Sequence, residues 1–385
     1  MTQWLKTPRN PNSPLAGLKV LELARVLAGP WAGQVLADLG ADVIKVESPE
    51  GDGTRQWGPP WVTRTGPDGV ERQEAAYYHA CNRGKRSIIA DFGKEADLRR
   101  VKALAADADV VIENFKTGGL AKFGLDYASL EPDNTGLVYC SITGFGQTGP
   151  RAHEAGYDFV IQGMSGFMSV TGEPAGDPVK MGVSVSDLAA GLWAANGIQA
   201  ALLMRARTGT GQHLDMSLLD CSVALLANQA TYHFTTGENP PRMGNTHAQM
   251  APYGVYPVKG GHVILAPAND RLFAKLLEVL GLQALAEDPR FSGNAARVAN
   301  AAALDALIAA ATSQWDKHDL LNACHSAGVP AGPINQLDEV FADPQVLARG
   351  MRIELGGMPG VRSPFVFSDS ELALDTPSPM LGEHD

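Results

Sequence analysis

One acidic residue, Asp187, stands where a Gly/Ser-rich approach meets a long apolar stretch, in VKMGVSVSDLAAGLWAANGIQAALLMRARTGTGQHLDMSLLD (residues 179–220). A carboxylate at such a junction can act as a nucleophile toward an activated acyl group, and its attack on a thioester would give a mixed anhydride. Helix periodicity begins directly after Asp187, and Asp is a preferred N-cap, so capping is the competing role. The two share a consequence. The positive end of a helix dipole favours an ionised carboxylate and is expected to hold Asp187 ready as an anion.

Basic residues form the second chemical signal. NRGKRS places Arg83, Lys85 and Arg86 just before one strand-like segment, and ENFKTGGLAKFG places Lys116 and Lys122 after another. A parallel sheet can bring such edges together over a polyphosphate; two solvated loops would have the same spacing. GFGQTG at 144–149 matches GxGxxG in form, and Glu47 ends a strand as a ribose-binding acid would. The two do not share one βαβ unit, because the first strand-to-helix turn is RVLAGPWAG, so the dinucleotide fingerprint is incomplete. No GxxxxGK[ST], HExxH or GxSxG occurs, and GMSG at 163–166 is one residue short of the last. ATP-driven, metal-hydrolase and serine-hydrolase chemistry are therefore unsupported, and no metal is expected.

These groups need a scaffold. LKVLELA, DVIKVE, KRSIIADF, DVVIENF and GLVYCSITGF read as strands, with AGPWAGQVLADLG and EADLRRVKALAADA as helices between them. The alternation predicts a mostly parallel, doubly wound sheet that binds ligands at the carboxyl ends of its strands. Residues 48–70, rich in Gly, Pro and Trp, read as a loop. After about Asn239 the character changes: YGVYPVKGGHVILA predicts a hairpin turning at Gly260–Gly261, and helices are expected at 271–280, 300–312 and 316–327. The expected organisation is a Rossmann-like large domain over 1–225, a smaller α+β domain over 226–328, and a segment 329–385 returning to the large domain.

With 385 residues, 45% hydrophobic and 19% charged, the chain can build a sizeable core. A net charge of -11 argues against nucleic acid or an anionic membrane as partner. Cys81, Cys140, Cys221 and Cys324 form no CxxC pair, and the amino terminus has no signal-peptide core, so a reducing cytoplasm is the expected address.

Taken together the segments resemble the class III CoA-transferase family, which includes formyl-CoA and carnitine CoA-transferases and the α-methylacyl-CoA racemases. The resemblance is carried by GLKVLELARVLAGPWAGQVLADLGADVIKVE, NRGKRSI, DVVIENFKTGGLAKFGL, SITGFGQTGP, AGYDFVIQGMSGFMSVTG, VSDLAAGLWAANGIQAALLMRARTGTGQ, RMGNTH…PYGVY, GVPAGPIN…VFADPQV and MLGEHD, in the family's order. It implies that Asp187 is the nucleophile and that CoA binds through Val26 and Ala28, Lys85 and Arg86, Asn114 and Phe115, and Lys122. It implies acyl-CoA and a carboxylic acid as substrates, no tightly bound cofactor, and a homodimer of interlocked chains. Some members carry an Arg directly after VIKVE; here that position is Ser48, which turns attention to Arg55 for a phosphate contact. A glycine-rich run shields the anhydride in formyl-CoA transferase, whereas RMGNTHAQM has only Gly244.

Racemases of the family carry a His in the GxD triplet, where this chain has Gly156–Tyr157–Asp158. Tyr, with an unperturbed pKa of ~10, matches a neutral-pH base poorly, which favours transfer over racemisation. The AGYD and PYGVY stretches look most like members handling dicarboxylates such as succinate or glutarate, with Arg242 and His247 as candidates for the distal carboxylate.

Overall fold

The computed structural model describes residues 3–66 and 69–385. The chain forms two compact units: 1–168, 180–238 and 344–385 make the first, and 169–179 with 239–343 the second.

The first unit is built on a six-stranded sheet of β1 (Lys19–Glu22), β2 (Asp42–Glu47), β3 (Lys85–Ile89), β4 (Val110–Glu113), β5 (Val138–Thr143) and β6 (Gln212–Ser217). The strands lie in the order β3-β2-β1-β4-β5-β6 and every pairing is parallel. This is the doubly wound arrangement, with its switch point between β1 and β4. Successive residues serve opposite faces, as the two-residue strand period requires. Val20, Val43, Val110 and Val138 pack with α1 (Ala28–Asp38) and α4 (Val185–Thr208), whereas Leu21, Ile44, Val111 and Tyr139 pack with α2 (Glu95–Ala106). Two shorter helices, α3 (Asp158–Met164) and α5 (Leu218–Ala224), complete the surroundings of α4.

One close approach sets where α4 lies. A Cβ at Gly191 would come 2.6 Å from the Ala28 carbonyl oxygen and 3.0 Å from Trp31 Cβ. Only a residue without a side chain lets α4 press onto the start of α1, and Asp187 is carried about one turn before that contact.

Two features differ from the sequence expectations in this unit. The strand β6, QHLDMS, was not anticipated: it is an edge strand whose residues are mostly wet, so it lacks an apolar run. Within 48–70, Gly53–Gln56 form a 3-10 turn, and Trp61–Thr65 pairs antiparallel with Glu71–Ala75.

The second unit has a three-stranded antiparallel sheet of β7 (Gly254–Val258), β8 (Gly261–Leu265) and β9 (Ala331–Pro333). Helices α6 (Asp270–Leu280), α7 (Ala301–Thr312) and α8 (Lys317–Ala327) cover it through Phe273, Leu276, Leu304, Ile308 and Leu320. Besides 169–179, the unit takes in 239–343 with β9, while the helix Ala227–Thr236 clusters with the first unit. Among the described residues no helix is long and apolar enough to cross a membrane.

Candidate active site

The segment leading to Asp187 is braced from below by α3. Asp158 accepts a hydrogen bond from the Ser186 amide (2.8 Å) and one from Gln162 Nε2 (2.7 Å), and Gln162 Oε1 accepts from the Met181 amide (2.8 Å). Helix α4 starts at Val185 after Ser184, whose side chain forms no cap. Asp187 is therefore the third helical residue and not the N-cap; the carboxylate of Asp158 meets the orphan amide instead. No hydrogen bond to the Asp187 carboxylate forms among the described residues. Burial pushes that carboxyl up to about 7, and the nearby charge of Asp158 adds to the shift. Burial and the charge of Asp158 thus oppose the helix terminus, which was expected to hold Asp187 ionised.

Asp187 lines a cavity of about 150 Å³ together with Arg25, Val26, Ala28, Asn114, Phe115 and Tyr157. Its wall is made where two loops cross with no side chains between them. A Cβ on Gly144 would fall 2.6 Å from the Gly156 Cα. The glycine at the start of GFGQTG serves this crossing. Glu47 is likewise committed, accepting from Arg55 (2.7 and 2.8 Å) and from Ser87 Oγ (2.6 Å).

A second cavity, about 590 Å³, opens at the carboxyl ends of β1, β2 and β4, by the sheet's switch point. Ser48, Phe92, Phe115, Lys116 and Lys122 line it. Phe92 stacks near Phe115 (centroids 6.3 Å apart) and meets Phe123 edge-on at 5.4 Å. Arg25, Phe115 and Lys116 border both cavities.

The turn between the two cavities is rigid. Val26, a β-branched residue, has φ +72°, a strained conformation. Its amide donates to the Asp52 carboxylate (3.1 and 3.3 Å), and Lys45 Nζ lies 3.0 Å from the same carboxylate. Asn114 clasps Arg25 at both ends: Oδ1 accepts from the Arg25 amide (2.9 Å), and Nδ2 donates to the Arg25 carbonyl (2.6 Å).

Val26, Ala28, Asn114, Phe115, Tyr157 and Asp187 are thus brought to one cavity, with Lys122 at the other. Lys85 and Arg86 line neither. Lys85 is wholly buried and donates to Glu22 (3.0 Å), Asn82 Oδ1 (2.8 Å) and the Pro30 carbonyl (2.8 Å). Arg86 is paired with Asp42 at 2.6 Å. Arg55 is buried between Glu47 and Glu74 and lies over the Tyr78 ring at 3.6 Å. In the second unit, Arg242 donates to the carbonyls of Glu173 (3.2 Å) and Gly176 (2.5 Å), and His247 Nδ1 accepts from the Gln249 amide (3.1 Å). Arg25 and Phe92, which line these cavities, are not among the residues the sequence singles out. The signal for Arg25 was its place just past the end of β1 with no acidic neighbour in RVLAGP; Phe92 gave none beyond following a strand.

The model for CoA-transferase family III matches residues 15–385. The chain belongs to that family. A succinate–glutarate CoA-transferase from Agrobacterium fabrum is 55% identical over 381 residues, covering 97% of this chain and 94% of the relative. The succinyl-CoA:glutarate CoA-transferase of Homo sapiens is 38% identical, covering 99% and 87%. Among solved structures, a CAIB/BAIF family protein from Brucella suis is 58% identical with a TM-score of 0.88, covering 97% of both chains. As a family III CoA-transferase, this enzyme takes CoA thioesters as substrates.

Proposed function

We propose that the enzyme moves CoA between dicarboxylic acids of the succinate and glutarate class through a covalent intermediate on Asp187. The observation that carries the reading is an unencumbered Asp187 carboxylate in a cavity that shares Arg25, Phe115 and Lys116 with a second one of nucleotide size. The names of the bacterial and human relatives supply the acid class.

The ionised Asp187 oxygen attacks the thioester carbonyl of the donor, the C–S bond breaks, and CoA thiolate leaves an acyl–aspartyl anhydride. The thiolate then attacks the aspartyl carbonyl, which releases the donor acid and forms an aspartyl-CoA thioester. A carboxylate of the acceptor attacks that thioester and expels the thiolate, giving a second anhydride. Return of the thiolate to the acceptor's carbonyl makes the new acyl-CoA and frees Asp187. No thioester energy is lost to water, so no nucleotide is consumed. Tyr157 in the position of a racemase histidine speaks against proton exchange at the α-carbon.

In this reading the nucleotide end of CoA occupies the larger cavity, with its base against the Phe92–Phe115 wall and a phosphate near Lys122 and Lys116. The pantetheine arm passes Val26, Ala28 and Asn114 to reach Asp187. Lys85 and Arg86 support the strands beneath by their ion pairs. The apolar residues Phe159 (58% exposed), Trp193 (45%) and Phe234 (81%) suit burial by a second copy, in keeping with a homodimer. Four buried, free cysteines suit a reducing cytoplasm.

The test is a panel of carboxylic acids with succinyl-CoA, read by mass spectrometry for new thioesters, with hydroxylamine trapping during turnover. New dicarboxyl-CoA species and a hydroxamate at Asp187 are expected. A blank across the panel and across other acyl-CoA donors would overturn transfer; turnover without any mark at Asp187 would overturn the intermediate.

A further inference from the structure

We infer that the Arg25 guanidinium receives the substrate carboxylate that does not react, and so sets a preference for dicarboxylic over monocarboxylic acids. This rests on the reading of Asp187 as the reacting group.

Arg25 and Asp187 line the same cavity, whose volume of about 150 Å³ suits a small acid. A dicarboxylate held with one end at Asp187 needs a cation for the other, because a carboxylate taken from water without a partner is costly. Two cationic side chains line this cavity, Arg25 and Lys116. One acid other than Asp187 lines it, Glu154, and that is paired with Arg151 at 2.9 Å. Arg25 forms no ion pair among the described residues.

The choice between the two cations follows from rigidity and shape. The Arg25 backbone is clasped by Asn114 on both its amide and its carbonyl, and the next residue is strained at φ +72° and tied to Asp52. A guanidinium presented from so fixed a base can meet a carboxylate with two parallel N–H donors. Lys116 is exposed, as Arg25 is, and borders the cleft beside His213 as well as the nucleotide-sized cavity. A compact charge on a flexible stem there suits a phosphate of CoA. Arg25 touches the larger cavity as well, so the experiment must separate an acid contact from a phosphate contact.

The intact enzyme is assayed with glutarate and with pentanoate, its monocarboxylate counterpart of equal chain length. In a ping-pong reaction kcat/KM for the acceptor does not depend on the donor, so succinyl-CoA can serve throughout. Arg25→Gln is expected to lower kcat/KM for glutarate by about 30-fold or more, the loss of one charge-assisted pair. Its kcat/KM for pentanoate and its calorimetric Kd for free CoA should stay within about threefold of wild type, and Arg25→Lys should recover part of the glutarate activity. Lys116→Gln should do the reverse, weakening free CoA while keeping the glutarate-to-pentanoate ratio. An unchanged ratio in Arg25→Gln, with or without weaker CoA binding, overturns the inference. A wild type with no preference for glutarate overturns it together with the dicarboxylate reading. Transfer that survives Asp187→Asn overturns the intermediate, a result independent of the ratio.

Discussion

At the scale of single residues, the identity of the proposed nucleophile and its protonation state are two different problems. Asp187 stands out in the sequence as a candidate, because an acid at a helix start inside a long family motif has few readings. Its pKa was not legible, since that depends on how much water the fold removes and on Asp158, which lies 29 positions earlier in the chain and is brought close by α3. The sign of the consequence is direct. In the proposed mechanism the attacking form is the deprotonated one, so kcat/KM for the donor acyl-CoA should climb about tenfold between pH 6 and pH 8 and level off above. Asp158→Asn keeps an oxygen to accept from the Ser186 amide but removes the like charge, so the rising limb should move to lower pH. A pH–rate profile of the variant that coincides with wild type would show that Asp158 acts only as a brace. Stability gives a second readout. The folded pKa of Asp187 lies above its unfolded value near 4, so the group favours folding at low pH and its contribution is lost as pH rises through about 7. Asp187→Asn should therefore be inactive yet more stable at pH 8 by about 2 kcal/mol, the full linkage value being cut back because the carboxyl stays partly wet. Urea melts should show that gain vanishing at pH 4.

At the scale of elements, the crossing of α1 and α4 connects packing to chemistry. Gly191 touches the backbone of Ala28, and backbone cannot rotate aside as a side-chain tip can. Gly191→Ala should cost about 1–3 kcal/mol and shift the start of α4 against the Val26–Ala28 turn. We expect a lower urea midpoint with an unchanged m-value, and a fall in kcat greater than the change in KM for acyl-CoA. A variant with wild-type kcat would mean that the crossing sets stability alone. The elements that are readable from the sequence share one property, a buried apolar set with a strand or helix period. Strands β1, β2, β4 and β5 are buried along nearly their whole length around apolar centres, and α1 and α2 carry their helical period between them. The edge strand β6 and the Trp61–Thr65 hairpin escaped because their side chains face water, which leaves no hydrophobic pattern to read. Asp187 was placed three residues from its true position in the helix for a related reason: Val185 and Ser186 resemble approach as much as helix, and an interaction from α3 decides where the first turn begins.

At the scale of the whole molecule, the first unit closes only with the last residues of the chain. The carboxyl-terminal segment lies along β3, the edge of the sheet opposite β6, where an uncovered strand would be a liability. The Ser87 carbonyl accepts from the His384 amide (3.0 Å), Ser87 Oγ from the Gly382 amide (3.1 Å), and the Asp385 carboxylate from the Ile89 amide (3.2 Å) and Arg100 (2.8 Å). The same segment reaches the buried charges behind the nucleotide-sized cavity. Arg55 donates to the Pro379 carbonyl (3.3 Å) and Arg64 to that of Ser378 (2.6 Å). Leu381 packs where a Cβ on Gly51 would lie 3.3 Å away, against the loop that forms the cavity's rim. Deleting 378–385 removes these bonds and wets the Arg55–Glu47–Glu74 cluster. At about 1 kcal/mol per net hydrogen bond, the loss should be of order 3–6 kcal/mol. Because the rim loop loses its backing while Asp187 does not, KM for acyl-CoA should rise several-fold with kcat nearly kept at temperatures where the variant stays folded. Chemical denaturation read beside steady-state kinetics separates the two effects. A truncated enzyme with wild-type KM would mean that the segment guards the sheet edge without supporting the proposed CoA site.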